Sequence, residues 1–167
     1  MNASLSEAIK EAYATAPAGV IVLNTLELRH ASIPAPIYLI QERAATMLTL
    51  ETGEAVLFEA IPFQITLPQA GDNGLQELNI TIDNVDRKIS DFCRLAATYP
   101  SPVEVRYRPY LSTDFTTPQM VPPLLLFLKD ISITTTEVAC RATMADLINK
   151  KFPRELYTRE RFPSLGE

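Results

Sequence analysis

The sequence predicts a mainly β, antiparallel domain of about eight strands, with one central packing helix and further helices near both ends. Three observations carry this. Apolar and polar residues alternate along Phe63-Gln64-Ile65-Thr66-Leu67, Leu78-Asn79-Ile80-Thr81-Ile82-Asp83 and Val103-Glu104-Val105-Arg106-Tyr107-Arg108, the pattern of strands with one packed and one exposed face. Asp72-Asn73-Gly74 lies between the first two runs and is a strong turn signal, so those runs read as a β-hairpin. Between the second and third runs the period becomes helical, with Val85, Ile89, Phe92, Cys93 and Ala96 forming one apolar stripe.

Each element has its own local cause. Ser4 and Glu7 have capping-box spacing, and Leu5, Ala8, Ile9, Ala12 and Tyr13 recur at helical intervals, so a helix is expected over 4–16, ended by Pro17 and Gly19. Val20 to Leu28 is rich in Val, Ile, Leu and Thr and reads as a long strand. Shorter strands are expected at Ile37–Gln41, Ala55–Phe58 and Phe63–Leu67, broken by Pro34–Pro36, Thr52–Gly53 and Pro62. The packed helix spans 84–98. One of Asp83 and Asp86 is expected to cap its free amides and the other to complement its dipole, with Pro100 and Pro102 stopping it. Glu104, Arg106 and Arg108 form the outer face of the next strand, solvated or paired with a neighbour. Leu111–Pro123 is a long loop, which in a compact domain is either functional or held by something else. Strands at Leu124–Thr134 and Glu137–Thr143 follow, then a short helix through Asn149 capped by Thr143 and Asp146.

The 167 residues and formal charge of −5 fit one soluble domain, 1–149, with a distinct segment after it. No run reaches the roughly 18 apolar residues a membrane span needs, and Glu7 and Glu11 argue against a secretory signal. Cys93 and Cys140 lie far apart, His30 is the one histidine, and Trp is absent. These counts leave little room for zinc sites, histidine triads or haem ligation. A cysteine nucleophile would have only His30 as its base. No catalytic, metal-binding or cofactor-binding residue is expected.

The segment 150–167 changes character. Phe152, Arg154, Tyr157, Arg161 and Phe162 set aromatic rings about five residues apart among basic side chains, a spacing that fits neither a helix face nor a strand face. From Arg141 to Arg161 six Lys/Arg face three Asp/Glu, a local charge of +3, leaving −8 for the rest. An extended docking arm is expected, packing on its own domain or on a protein partner. Nucleic acid is disfavoured by the overall negative charge.

The runs Leu78-Asn79-Ile80-Thr81-Ile82-Asp83-Asn84-Val85-Asp86-Arg87 and Val103-Glu104-Val105-Arg106-Tyr107-Arg108-Pro109-Tyr110-Leu111 resemble minor tail proteins of long-tailed bacteriophages. They are similar above all to a family of phage and prophage proteins known only as a domain of unknown function, found among tail-tip and baseplate genes. Leu23-Asn24-Thr25-Leu26-Glu27-Leu28 and the stretch from Phe152-Pro153-Arg154 to Phe162-Pro163 share that likeness. The resemblance implies an antiparallel β-sandwich or partly closed barrel of the phage tail-tube/hub type. It implies a virion structural role at the tail tip, beside hub, distal-tail and tape-measure proteins, in several copies and as a trimer, and it carries over no catalytic residues. Other readings are a small β-sandwich module binding a ligand or receptor, and a tail assembly chaperone.

Overall fold

The computed structural model describes residues 4–7, 10–11, 14, 19–66, 77–84 and 87–144. Among these, the strands are β1 (Ser4–Leu5), β2 (Val22–His30), β3 (Ile33–Ile40), β4 (Thr46–Thr49), β5 (Ala55–Ala60), β6 (Phe63–Thr66), β7 (Glu77–Asp83), β8 (Glu104–Leu111), β9 (Met120–Val121), β10 (Leu124–Ile133) and β11 (Glu137–Met144), with one helix, α1 (Lys88–Ala96). Nine strands form one sheet in the order β4-β5-β3-β2-β8-β10-β11-β7-β6, and β1 pairs with β9 apart from it. The sheet does not close into a barrel. It is also mixed, because β3 and β5 run parallel through Leu39↔Glu59 and Ile40↔Ala60, where an antiparallel sheet was expected.

The two faces carry separate cores. On one face Leu26, Leu28, Val105, Leu126, Ile80, Ile82 and Val138 pack under Ile89, Phe92, Cys93 and Ala96 of α1. These helix positions are most of the apolar stripe read from the sequence, and each buried large apolar side chain contributes about 1.5–3 kcal/mol. On the other face Leu23, Ile40 and Tyr110 meet Leu48, Leu50 and Phe58, because the β4–β5 hairpin leaves the sheet after a two-residue pairing and folds over it. Tyr38, Phe58 and Tyr110 stack edge-on there, with centroids 5.2 and 6.4 Å apart. The result is sandwich-like, mainly β, with one helix.

Several expectations change at this level. Ser4 belongs to β1 rather than to a capping box, while Glu7, Lys10, Glu11 and Ala14 are helical and Lys10 N–H bonds Ser6 O at 3.2 Å. Pro34 and Pro36 lie inside β3 instead of before it. Gln41 donates to Asn24 O, so odd residues of β3 face β2 and even ones face away. The β5 ladder reaches only Leu39 and Ile40, so neither proline deprives a neighbour of a donor. Helix α1 starts at Lys88, and its N-cap is Arg87 in the left-handed region (φ 56°), without a side-chain cap. Asp83 is the last residue of β7 and caps nothing; Val85 and Asp86 lie outside the described residues. So do the Asp72-Asn73-Gly74 turn and the short helix expected through Asn149, although the hairpin it implied is present, with Phe63↔Ile82 through Thr66↔Asn79 in register.

Candidate functional site

The arm residues Phe152, Arg154, Tyr157, Arg161 and Phe162 lie outside the described residues. The Leu111–Pro123 loop does not, and it is held. Ser112 N–H bonds Ile21 O at 2.8 Å, Gln119 N–H bonds Pro109 O at 2.8 Å, and Ser6 N–H bonds Gln119 O at 2.8 Å. The Asp114 carboxylate accepts from the Thr116 N–H and hydroxyl at 2.8 and 2.6 Å, and those bonds lower its pKa. Buried Gln119 takes the Ser6 hydroxyl and donates to Thr117 O at 3.0 Å.

His30 and both cysteines lie inside the fold. Buried His30 places Nε2 2.9 Å from Ser101 O and accepts the Ser32 N–H at Nδ1, which fixes the neutral tautomer protonated at Nε2. Cys93 and Cys140 are free and buried. Burial pushes the Cys93 thiol up to about 11, and burial with Cys93 nearby pushes Cys140 up to about 12, the opposite of an activated nucleophile. Among the described residues no three His, Cys, Asp or Glu side chains gather as a metal site, and no helix is long and apolar enough to cross a membrane.

One charged cluster was missed by the sequence. Arg108, expected on a wet or paired outer strand face, is 1% exposed, and Glu27 is 0% exposed. Thr25, Glu27, Arg108 and Tyr110 share the face that the β4–β5 hairpin covers, so alternation placed them together while burial reversed their surroundings. Arg108 forks onto Glu51 through Nε and Nη2 at 2.7 and 2.9 Å. Its Nη1 stands 2.8 Å from Glu27 Oε2, a fully buried ion pair. Arg29 holds the other Glu27 oxygen at 2.9 Å. Burial by itself lowers the Arg108 pKa, but Glu51 and Glu27 more than reverse it and the net shift is upward. The Arg108 hydrogen bonds pull the Glu51 carboxyl down. A glutamate inside the Leu-rich β2 was the one available signal.

The open feature is at the sheet's edge. Asp83 N–H bonds Pro62 O at 2.9 Å, so the hydrogen-bonded pairs of β6–β7 are Pro62/Asp83, Gln64/Thr81 and Thr66/Asn79. The N–H and C=O of Phe63 and Ile65 therefore point away from β7, at the end of the sheet, with no backbone partner among the described residues. No charge or internal proline interrupts the four residues Phe63–Thr66, so two of the usual edge protections are absent from this strand. The opposite edge is treated differently: at β4 the Thr49 N–H bonds Phe115 O at 3.0 Å and Tyr110 Oη donates to Thr49 O at 2.8 Å.

Two hollows flank β6. One, about 660 Å³, has an apolar wall of Ile65, Leu78, Tyr107, Met120, Leu124 and Leu126. Its rim is fixed by Tyr107 Oη donating to Asn24 Oδ1 at 2.8 Å and Asn24 Nδ2 donating to Gln41 at 2.9 Å. The other, about 590 Å³, is lined by Phe63, Gln64, Thr81, Asp83 and Glu137. Asp83 and Glu137 are direct cross-strand partners, two like charges where an opposite pair would stabilise.

Residues 8–157 match the family described as a domain of unknown function, DUF1833. The chain belongs to that family. No curated protein matches it. The matched stretch of this chain includes β6 and the Arg108 cluster, and also Phe152, Arg154 and Tyr157, whereas Arg161 and Phe162 fall beyond the match.

Proposed function

We propose that this DUF1833 chain is a non-enzymatic structural component of a bacteriophage tail tip or baseplate, working through protein–protein contacts around the tail axis. The observation that carries the docking part is the division of labour in the fold. His30, both thiols and the Arg108 cluster are turned inward, while a strand edge beside an apolar hollow has no backbone partner among the described residues. The phage assignment rests on the likeness of residues 78–87 and 103–111 to tail-tip proteins. On this reading the chain is made in a bacterial host, enters the virion tail tip, and neighbours hub, distal-tail and tape-measure proteins in a closed ring, with three-fold symmetry proposed. Phe152, Tyr157 and Phe162 would fill pockets on a neighbour while Arg154 and Arg161 pair with carboxylates. The test is quantitative mass spectrometry of purified particles against a protein of known copy number. Several copies per particle, in a multiple of three, is the expected result. Absence from particles while the chain is present in infected cells contradicts it and favours an assembly chaperone. The second reading, a small ligand- or receptor-binding module, is favoured by the 660 Å³ hollow, and saturable binding of a glycan or receptor by the isolated chain would establish it.

A further inference from the structure

We infer that the outer edge of β6 is a strand-addition site whose occupant is an extended, uncharged segment of a partner protein, apolar at alternate positions and ending in one basic residue. The inference rests on the docking reading above and names the partner's chemistry.

The backbone sets the occupant's conformation. Phe63 and Ile65 each present one N–H and one C=O outward, two residues apart. Only another extended chain matches that spacing, and an antiparallel one closes four hydrogen bonds on the two residues. Side chains set its composition. On an added strand the residues opposite Phe63 and Ile65 point to the same face as Ile65, against Leu78, Leu124 and Leu126, so they are apolar. Among the described residues, none that lines that hollow is a carboxylate, lysine or arginine, so a charge placed there would lose water without gaining a partner from them. The residue opposite Pro62 points to the other face, where Asp83 and Glu137 stand opposite each other and no cationic side chain forms a salt bridge to either among the described residues. In an antiparallel strand that residue is C-terminal to the apolar pair, and a lysine or arginine there relieves the like-charge pair.

Amide hydrogen exchange by NMR on the full chain tests this, with a capped synthetic hexapeptide, threonine-threonine-leucine-threonine-leucine-lysine, as probe. Without peptide, the Phe63 and Ile65 amides exchange quickly while Gln64 and Thr66 are protected by β7. Saturating peptide slows exchange at Phe63 and Ile65 at least tenfold. Replacing the peptide's lysine with glutamate weakens binding at least fivefold, and the double variant Asp83→Asn, Glu137→Gln removes that preference. Ile65→Pro abolishes binding while Gln64 and Thr66 stay protected, because the lost N–H points away from β7. The double variant keeps the test decisive if Ile65→Pro does not fold. Saturable binding absent at millimolar peptide overturns the inference, as does binding that leaves Phe63 and Ile65 exchanging freely. Protection of both amides in the dilute chain without peptide shows a segment of the same chain on the edge, and protection that grows with protein concentration shows a second copy; either overturns the partner assignment. Failure here with the chain still counted in virions would leave the tail-tip reading standing and remove only this site.

Discussion

Arg108 is one residue before Pro109 in a strand that reads as half wet, yet it is among the largest fully buried side chains of the fold. The reason is long-range: only when the β4–β5 hairpin folds over β2 and β8 does that face become interior. Removing the cation takes the buried partner of Glu27 Oε2, leaves Arg29 on the other oxygen and frees both Glu51 oxygens, so Arg108→Ala is expected to cost about 3–5 kcal/mol in denaturant unfolding. Arg108→Met combined with Glu27→Gln should cost less than the two single changes together, because the buried Arg108–Glu27 ion pair is removed as a unit. Glu51 adds a pH signature. Its folded carboxyl is held below its ordinary value, so its stabilising contribution is present above the unfolded pKa of about 4.3 and is lost as pH falls through the folded value. Glu51→Gln should therefore flatten the acid limb of the stability curve. The thiols behave in the opposite sense. Burial raises them to about 11 and 12, so the stability they contribute is present below the unfolded value of about 8.5 and falls as pH rises beyond it. At neutral pH a thiol-alkylating reagent should modify neither cysteine in the native chain and both in denaturant.

At the scale of elements, local pattern was enough wherever a strand's neighbours are close in sequence. The Phe63–Leu67 and Leu78–Asp83 alternation gave the β6–β7 hairpin without its turn, and the stripe Ile89, Phe92, Cys93, Ala96 gave α1. Pattern failed where tertiary pairing decides. Thr46–Thr49 is too short to announce itself, and Pro34 and Pro36 are tolerated because β5 does not reach them. Ser4–Leu5 becomes a strand because Met120 and Val121, over a hundred residues away, pair with it. The held loop 111–123 is expected to be structural through Gln119. Gln119→Ala removes its bonds to Ser6 and Thr117 and should cost about 1–2 kcal/mol in thermal or denaturant unfolding. It should also speed amide exchange at Ser6.

For the whole molecule, residue counts were legible in the sequence while the order of the strands was not. One histidine, two distant cysteines and no tryptophan already argued against catalysis. The place of β6 at the end of the sheet could not be read, because which strand ends a sheet depends on every other pairing in it. The basic and aromatic spacing of 150–167 gave the expectation of a docking arm, and truncation after Asn149 should leave a folded chain that no longer enters particles; normal incorporation of that chain would rule the arm out. The central claim is that the fold keeps its reactive groups inside and assembles through β6. Hydrogen exchange at Phe63 and Ile65, measured by mass spectrometry on the free chain and on purified particles, tests it most directly. Fast exchange in the free chain and at least a hundredfold slower exchange in the particle are expected. Equal exchange at these two amides in both states would contradict it.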